Sequence, residues 1–161
     1  MKSTKAFTMI ELIFVIIIIG ILAAVAIPRL AATRDDAKVA TSLSSLSMLV
    51  REMGNYYTAN ENYTTGVNAI HNLTNIELFT DTSCSSLATE VSSGSSYYYC
   101  TDYSGVLEAC VSVTPNNSEG RLTIDPVNNP NGNICKAVQV SPQFIKNISL
   151  TFKMGGERIK Y

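Results

Sequence analysis

From Phe7 to Ile27 the chain is apolar at nearly every position, reading Phe-Thr-Met-Ile-Glu-Leu-Ile-Phe-Val-Ile-Ile-Ile-Ile-Gly-Ile-Leu-Ala-Ala-Val-Ala-Ile, with Thr8 and Glu11 as its polar residues. About 20 such residues in a helix span the hydrocarbon core of a bilayer. A strand reading of the Ile run fails, because an unpaired strand leaves its backbone unsatisfied in lipid while a helix bonds internally. The pattern then changes without stopping. Val39, Leu43, Leu46, Val50, Met53 and Tyr57 recur at steps of four and three, among Ser, Thr, Lys38 and Glu52, which is one apolar helical stripe. Frequent alanines between Ala23 and Ala40 favour helix throughout. Pro28 removes a backbone donor and crowds the carbonyl of Ala24, so a kink is expected there. Gly54-Asn55 reads as the stop. At 1.5 Å per residue, Phe7 to Met53 makes a rod of roughly 70 Å, membrane-spanning over 7–27 and amphipathic over 28–54.

Beyond 54 the signals are shorter. Ile76–Phe79 reads as one helical turn or a short strand, and Ser92–Ser96 as a loop. Tyr97–Tyr103 and Val106–Thr114 flank Ser104-Gly105, a hairpin signal. Arg121–Asp125, Ile134–Val140 and Ile148–Lys153 are strand candidates, and Met154-Gly-Gly156 could turn the chain into a last strand at Glu157–Tyr161. Asp125–Asn133 is dense in turn formers. The expected fold is therefore α+β: a long N-terminal helix whose outer half packs on a four- to five-stranded antiparallel sheet, with the head covering 55–161.

Composition sharpens this picture. The 161 residues carry a net charge of −1, with 16% charged side chains, and no basic run provides a surface for nucleic acid. All four cysteines, Cys84, Cys100, Cys110 and Cys135, lie behind the apolar segment. An even count there reads as two disulfides in an oxidising compartment. A zinc site is disfavoured, since there is no C-x-x-C pair and the one histidine, His71, is far from them in sequence. Four cysteines allow three pairings. Cys84–Cys100 with Cys110–Cys135 is favoured, the first closing the irregular loop onto the sheet and the second tying the middle strand to the C-terminal lobe.

The string Lys5-Ala-Phe-Thr-Met-Ile-Glu-Leu12, behind a short basic head (residues 1–6) and ahead of the apolar run and Pro28, resembles the N-terminus of the type IV prepilins, a family that includes the type II secretion pseudopilins. The resemblance is close over about the first 50 residues. It implies removal of residues 1–6 by a prepilin peptidase between Ala6 and Phe7, and methylation of the new amine at Phe7. It also implies pairing of Glu11 with the terminal amine of a neighbouring subunit. The physics agrees: a charge at membrane depth is costly unless paired or interfacial, and an anion in the first helical turn suits the dipole. The family usually has Gly before the cut; Ala6 keeps a small side chain there, so cleavage is still expected, at a slower rate. Gly20 and Pro28 bracket a stretch with weakened helical bonds, and in the family the helix near this proline can lose order on assembly.

The resemblance implies a structural subunit of a type IV pilus or pseudopilus. Such a subunit is single-pass in a bacterial inner membrane with its head in the periplasm, and its filament lies in the periplasm or on the cell surface. The implied partners are other copies, minor pilins or pseudopilins, the peptidase, an inner-membrane assembly platform and the lipid bilayer. No specific nucleic acid is expected, nor any nucleotide site, so an ATPase elsewhere must supply the work. The alternative is an ordinary signal peptide ending at Ala24-Val-Ala26 and a secreted or anchored binding domain. Against it stand Glu11 within the apolar core, the length of the segment and the helical pattern running past that cut. An anchored enzyme is disfavoured, because His71 has no acid-base partner in sequence and no nucleophile or phosphate-loop motif appears. Asp125–Asn133 is a calcium candidate without the D-x-[DN]-x-[DN]-G order, and turn chemistry explains it better, so no cofactor is expected. The Tyr97-Tyr-Tyr99 run reads as strand packing.

Overall fold

The computed structural model describes residues 7–103 and 105–154. One helix, α1, runs Met9–Asn60 and passes through Pro28 without interruption. The chain divides into two compact units, residues 1–37 and 38–161, which are treated in turn.

In the first unit the helix is the only element among the described residues. Sixteen large apolar side chains between Phe7 and Leu30 are exposed, and the segment is long and apolar enough to cross a membrane.

In the second unit α1 supplies one wall of a core. Leu43, Leu46, Leu49 and Met53 are buried, with Val39, Val50 and Tyr57 partly buried beside them. The stripe read from sequence is thus broader than expected: Leu49 takes the innermost place on the rung where Val50 was expected, and Val50 sits at its edge. The expected stop at Gly54-Asn55 is corrected. Gly54 lies mid-helix beneath the Met154 side chain, whose sulfur would sit 3.1 Å from an added Cβ, so it is a packing glycine. The helix ends instead where Glu61 takes φ +56° and its N–H bonds back to the carbonyl of Tyr57, a left-handed C-terminal cap.

Four strands form an antiparallel meander: β1 (Tyr97–Tyr103), β2 (Val106–Asn116), β3 (Arg121–Pro126) and β4 (Thr151–Lys153), in spatial order β1-β2-β3-β4. The Gly105 turn joins β1 to β2 at φ +83°. Asp102 fixes that turn by accepting the Gly105 N–H at 2.9 Å and pairing with Lys38 of α1 at 2.9 Å. On β3, Leu122 and Ile124 face the core while Arg121 and Asp125 face out, the alternation of a half-buried strand. Leu122 stands opposite Pro115 and Phe152, and Ile124 opposite Val113.

The expected strand at Ile134–Val140 is a helix, α2 (Asn133–Val140). Its buried residues Ile134, Cys135 and Val138 follow helical rather than alternating spacing. Eight residues are too few to hold a helix by propensity, so tertiary contacts do it. Glu108 of β2 accepts the N–H groups of Asn131 and Gly132 at the helix start, at 2.9 and 2.6 Å. Gln139 donates to the carbonyls of Cys110 and Val127. The expected strand at Ile148–Lys153 is shortened to β4, because Phe144–Ile148 forms a π-helical turn that buries Phe144 and Ile148. Phe79 is extended, bridging Leu87 and Tyr98. The expected strand at Glu157–Tyr161 lies outside the described residues.

Two expectations follow. Leu46→Ala should destabilise the folded head by roughly 2–5 kcal/mol, as for a fully buried leucine, and Val50→Ala by clearly less; denaturant titration monitored by near-ultraviolet circular dichroism compares them. In the loop carrying Cys84, the Ser83 hydroxyl and the N–H groups of Ser85 and Ser86 hold the Asp81 carboxyl well below the usual carboxylate range. A depressed value in the folded state stabilises above the ordinary Asp pKa of about 3.9 and is lost only as pH falls through the folded value. The Ser85 and Ser86 amides should therefore stay protected from hydrogen exchange at pH 4 and open only below it; in Asp81→Ala they should exchange freely at both.

Candidate assembly site

The residues that the sequence singles out at the N-terminus meet in the first turn of α1. Phe7 precedes the helix and is 84% exposed; Ala6 and the residues before it lie outside the described residues. Thr8 is the N-cap and Glu11 the third helical residue. The Thr8 backbone N–H and hydroxyl both donate to Glu11 Oε2 at 2.8 Å, and the Glu11 N–H donates to Thr8 Oγ1 at 3.3 Å. This reciprocal pair is a capping box, which satisfies two of the orphan donors of a helix start. Its signature is present in the sequence as Thr8-Met-Ile-Glu11 ahead of an apolar run.

The box gives Glu11 two distinct oxygens. Oε2 is committed to Thr8; Oε1 has no hydrogen bond among the described residues, and the side chain is exposed. A carboxylate held at the positive end of a helix, with one oxygen open, is suited to accept from a cationic amine. Around it Phe7, Met9, Ile10, Leu12 and Phe14 are exposed, so an amine docking there would be flanked by apolar surface that strengthens the contact once water is excluded.

Further along α1, Gly20 has open space around a built Cβ. Pro28 stands inside the continuous helix, where it leaves the Ala24 carbonyl without its ladder donor. Just beyond, the Thr33 hydroxyl donates to the carbonyls of Arg29 and Leu30, at 3.2 and 3.0 Å.

In the head, Cys84 is bonded to Cys100 and Cys110 to Cys135. Cys110 lies on β2 and Cys135 on α2, so that bridge fastens the central strand to the short helix. Tyr97 is buried and its hydroxyl accepts the Ser92 N–H. His71 lines a cleft of about 200 Å³ with Glu77, Thr74 and apolar neighbours. Among the described residues no group of three His, Cys, Asp or Glu side chains is placed to hold a metal ion. The Asp125–Asn133 stretch, the calcium candidate, is organised by the Val127 N–H bond to the Cys110 carbonyl and by Glu108.

The family model of the prokaryotic N-terminal methylation motif matches residues 1–27. Over 73 residues the chain is 41% identical to the type IV wide pilus major component PilA4 of Thermus thermophilus, a match covering 45% of this chain and 56% of that protein. The chain thus spans a little over half the length of the curated relative. No solved structure matches it.

Thr8→Ala should loosen the first turn by about 1 kcal/mol, read as roughly fivefold faster hydrogen exchange of the Glu11 amide in detergent micelles. Thr8→Ser, which keeps the hydroxyl, should match the unaltered chain within about twofold. Equal exchange in all three would contradict the capping box.

Proposed function

We propose that this chain is a member of the type IV pilin family and the structural subunit of a type IV pilus. A prepilin peptidase cuts it between Ala6 and Phe7. The mature chain then waits in the inner membrane, with its disulfide-bonded head in the periplasm, and is drawn into a helical filament with its apolar helices inside. Pilins are structural proteins, and no catalytic role is proposed.

The observation that carries the reading is one acidic side chain, Glu11, in the first turn of a helix that is otherwise apolar from Met9 to Ile27, with its large side chains exposed. Cleavage would create a cationic amine at Phe7, and methylation would keep its charge. In lipid that amine and the Glu11 carboxylate are each unfavourable. Paired between copies, they neutralise one another and fix the axial register. Thr8 leaves Oε1 open for this contact. The pairing is between copies, so insertion alone does not satisfy it; assembly does.

A pilus is favoured over a secretion pseudopilus because the relative with 41% identity is by its name the major component of a pilus. Other copies, minor pilins and an inner-membrane assembly platform are the partners this role requires. The ordinary signal peptide makes a different prediction about the mature terminus, which keeps the two readings separable.

Mass spectrometry of the native protein should find a mature chain beginning at methylated Phe7. A chain beginning at Met1 or Ile27 would remove the reading. Glu11→Ala should insert and be cut normally yet give filaments reduced by tenfold or more, as expected when about 1.4 kcal/mol or more of contact energy is lost at every repeat. Normal piliation of that variant would remove the latch.

A further inference from the structure

The first unit holds a second set of charges that the Phe7–Glu11 contact does not use. Arg29, Arg34, Asp35 and Asp36 follow directly on the apolar segment and are all exposed. None of the four side chains takes part in an ion pair among the described residues, the two pairs there being Lys38–Asp102 and Arg121–Glu119. Arg29 and Asp36 are seven residues apart. At 3.6 residues per turn this puts them within roughly 20° of each other on one stripe, about 10.5 Å apart along the axis. Arg34 and Asp35 lie roughly 140° and 240° round from Arg29, off that stripe. Both Arg29 and Asp36 follow Pro28, so any irregularity at the proline leaves their mutual phase unchanged. Seven residues is also beyond the three- or four-residue spacing at which helical side chains pair within one chain.

Opposite charges on one stripe, too far apart to meet in the same chain, complement a second copy of that stripe shifted along the axis. We propose that Arg29 of one copy pairs with Asp36 of a neighbouring copy displaced along α1, so that this stretch is a subunit–subunit contact. The inference rests on the filament reading above.

The direction and size of the shift support the occupant. Moving a copy toward the C-terminal end of α1 by about 10.5 Å brings its Arg29 level with Asp36 of the first. The same direction of movement brings its Phe7 amine to Glu11, where the four-residue offset corresponds to about 6 Å. The two offsets differ by about 4.5 Å, a gap that the long, flexible Arg29 side chain can span. Both contacts place the cation of the displaced copy on the anion of the first, so one translation serves both. Such a head-to-tail contact does not close on itself, which is the geometry of an open fibre rather than a dimer.

The test is a charge swap in the full chain, expressed in its natural host, with sheared filaments quantified against total membrane-inserted and processed subunit. Arg29→Glu alone and Asp36→Arg alone should each insert and be cut normally, and each should reduce filaments by an order of magnitude or more, since like charges then face each other at every repeat. The double variant R29E/D36R restores opposite charges between copies and should return filaments to within about twofold of the unaltered chain. Failure of the double variant to recover, with insertion and cleavage intact, would overturn the pairing. So would near-normal filaments in either single variant. Defective insertion of Arg29→Glu that Asp36→Arg does not repair would assign Arg29 to phospholipid headgroups and likewise overturn it. If the unaltered chain gave no filaments while remaining processed and inserted, the filament reading itself would fall, an outcome distinct from failure of the swap.

Discussion

Everything about this chain follows from an apolar helical surface that is exposed among the described residues. Sixteen large hydrophobic side chains between Phe7 and Leu30 are exposed. At about 1.5–3 kcal/mol for each such side chain removed from water, the drive to cover them is on the order of 25–50 kcal/mol. Glu11 opposes insertion by only a few kcal/mol even at the bilayer centre, and by less near the interface. The apolar term therefore decides that the segment is buried in lipid or against other copies. The charge decides little about whether it is buried and much about what it is buried against. An anion with one oxygen tied to Thr8 and the other open is a weak obstacle to insertion and a strong discriminator among partners.

The second unit solves the opposite problem. Its surface is polar and its core modest, so it depends on cross-links and on α1 as a wall. Leu46, Leu49 and Met53 bring α1 into the same core as Val111, Val113, Leu122 and Ile124 of the sheet. The bridges close spans of 16 and 25 residues, each worth roughly 3 kcal/mol in the chain-entropy account. That is a large fraction of what a small domain retains as net stability. Cys110–Cys135 also makes α2 possible, because eight residues with no side-chain cap need Glu108, Gln139 and the bridge to stay helical.

Much of this was legible in the sequence where one physical term dominated. An uninterrupted apolar run has one solution in lipid, so α1 could be read as a helix, and the apolar step of four and three carried it into the head. Ser104-Gly105 between two β-rich runs marked the hairpin, and Arg121–Asp125 marked β3. Reading failed where distant residues decided. Gly54 looked like a stop because the Met154 side chain that fills its missing Cβ comes from a hundred residues away. Ile134–Val140 is a short run with β-branched residues at both ends, which reads as a strand, and contacts from β2 hold it as a helix. Leu49 and Val50 are adjacent on the rung, and the sheet behind them chose Leu49. At the candidate site Phe7 and Glu11 stand out by charge and position, whereas Thr8 acts through hydrogen bonds that neither charge nor hydropathy marks. The disulfide pairing was one choice among three, since it depends on a register that spacing alone does not encode.

The most direct measurement is the density of an assembled filament at a resolution that shows side chains. The account predicts the Glu11 carboxylate of each subunit within about 4 Å of the Phe7 amine of a neighbour, enclosed by the apolar segments of surrounding copies. A filament in which Glu11 faces water, or in which the Phe7 amine lies against some other group, would contradict it.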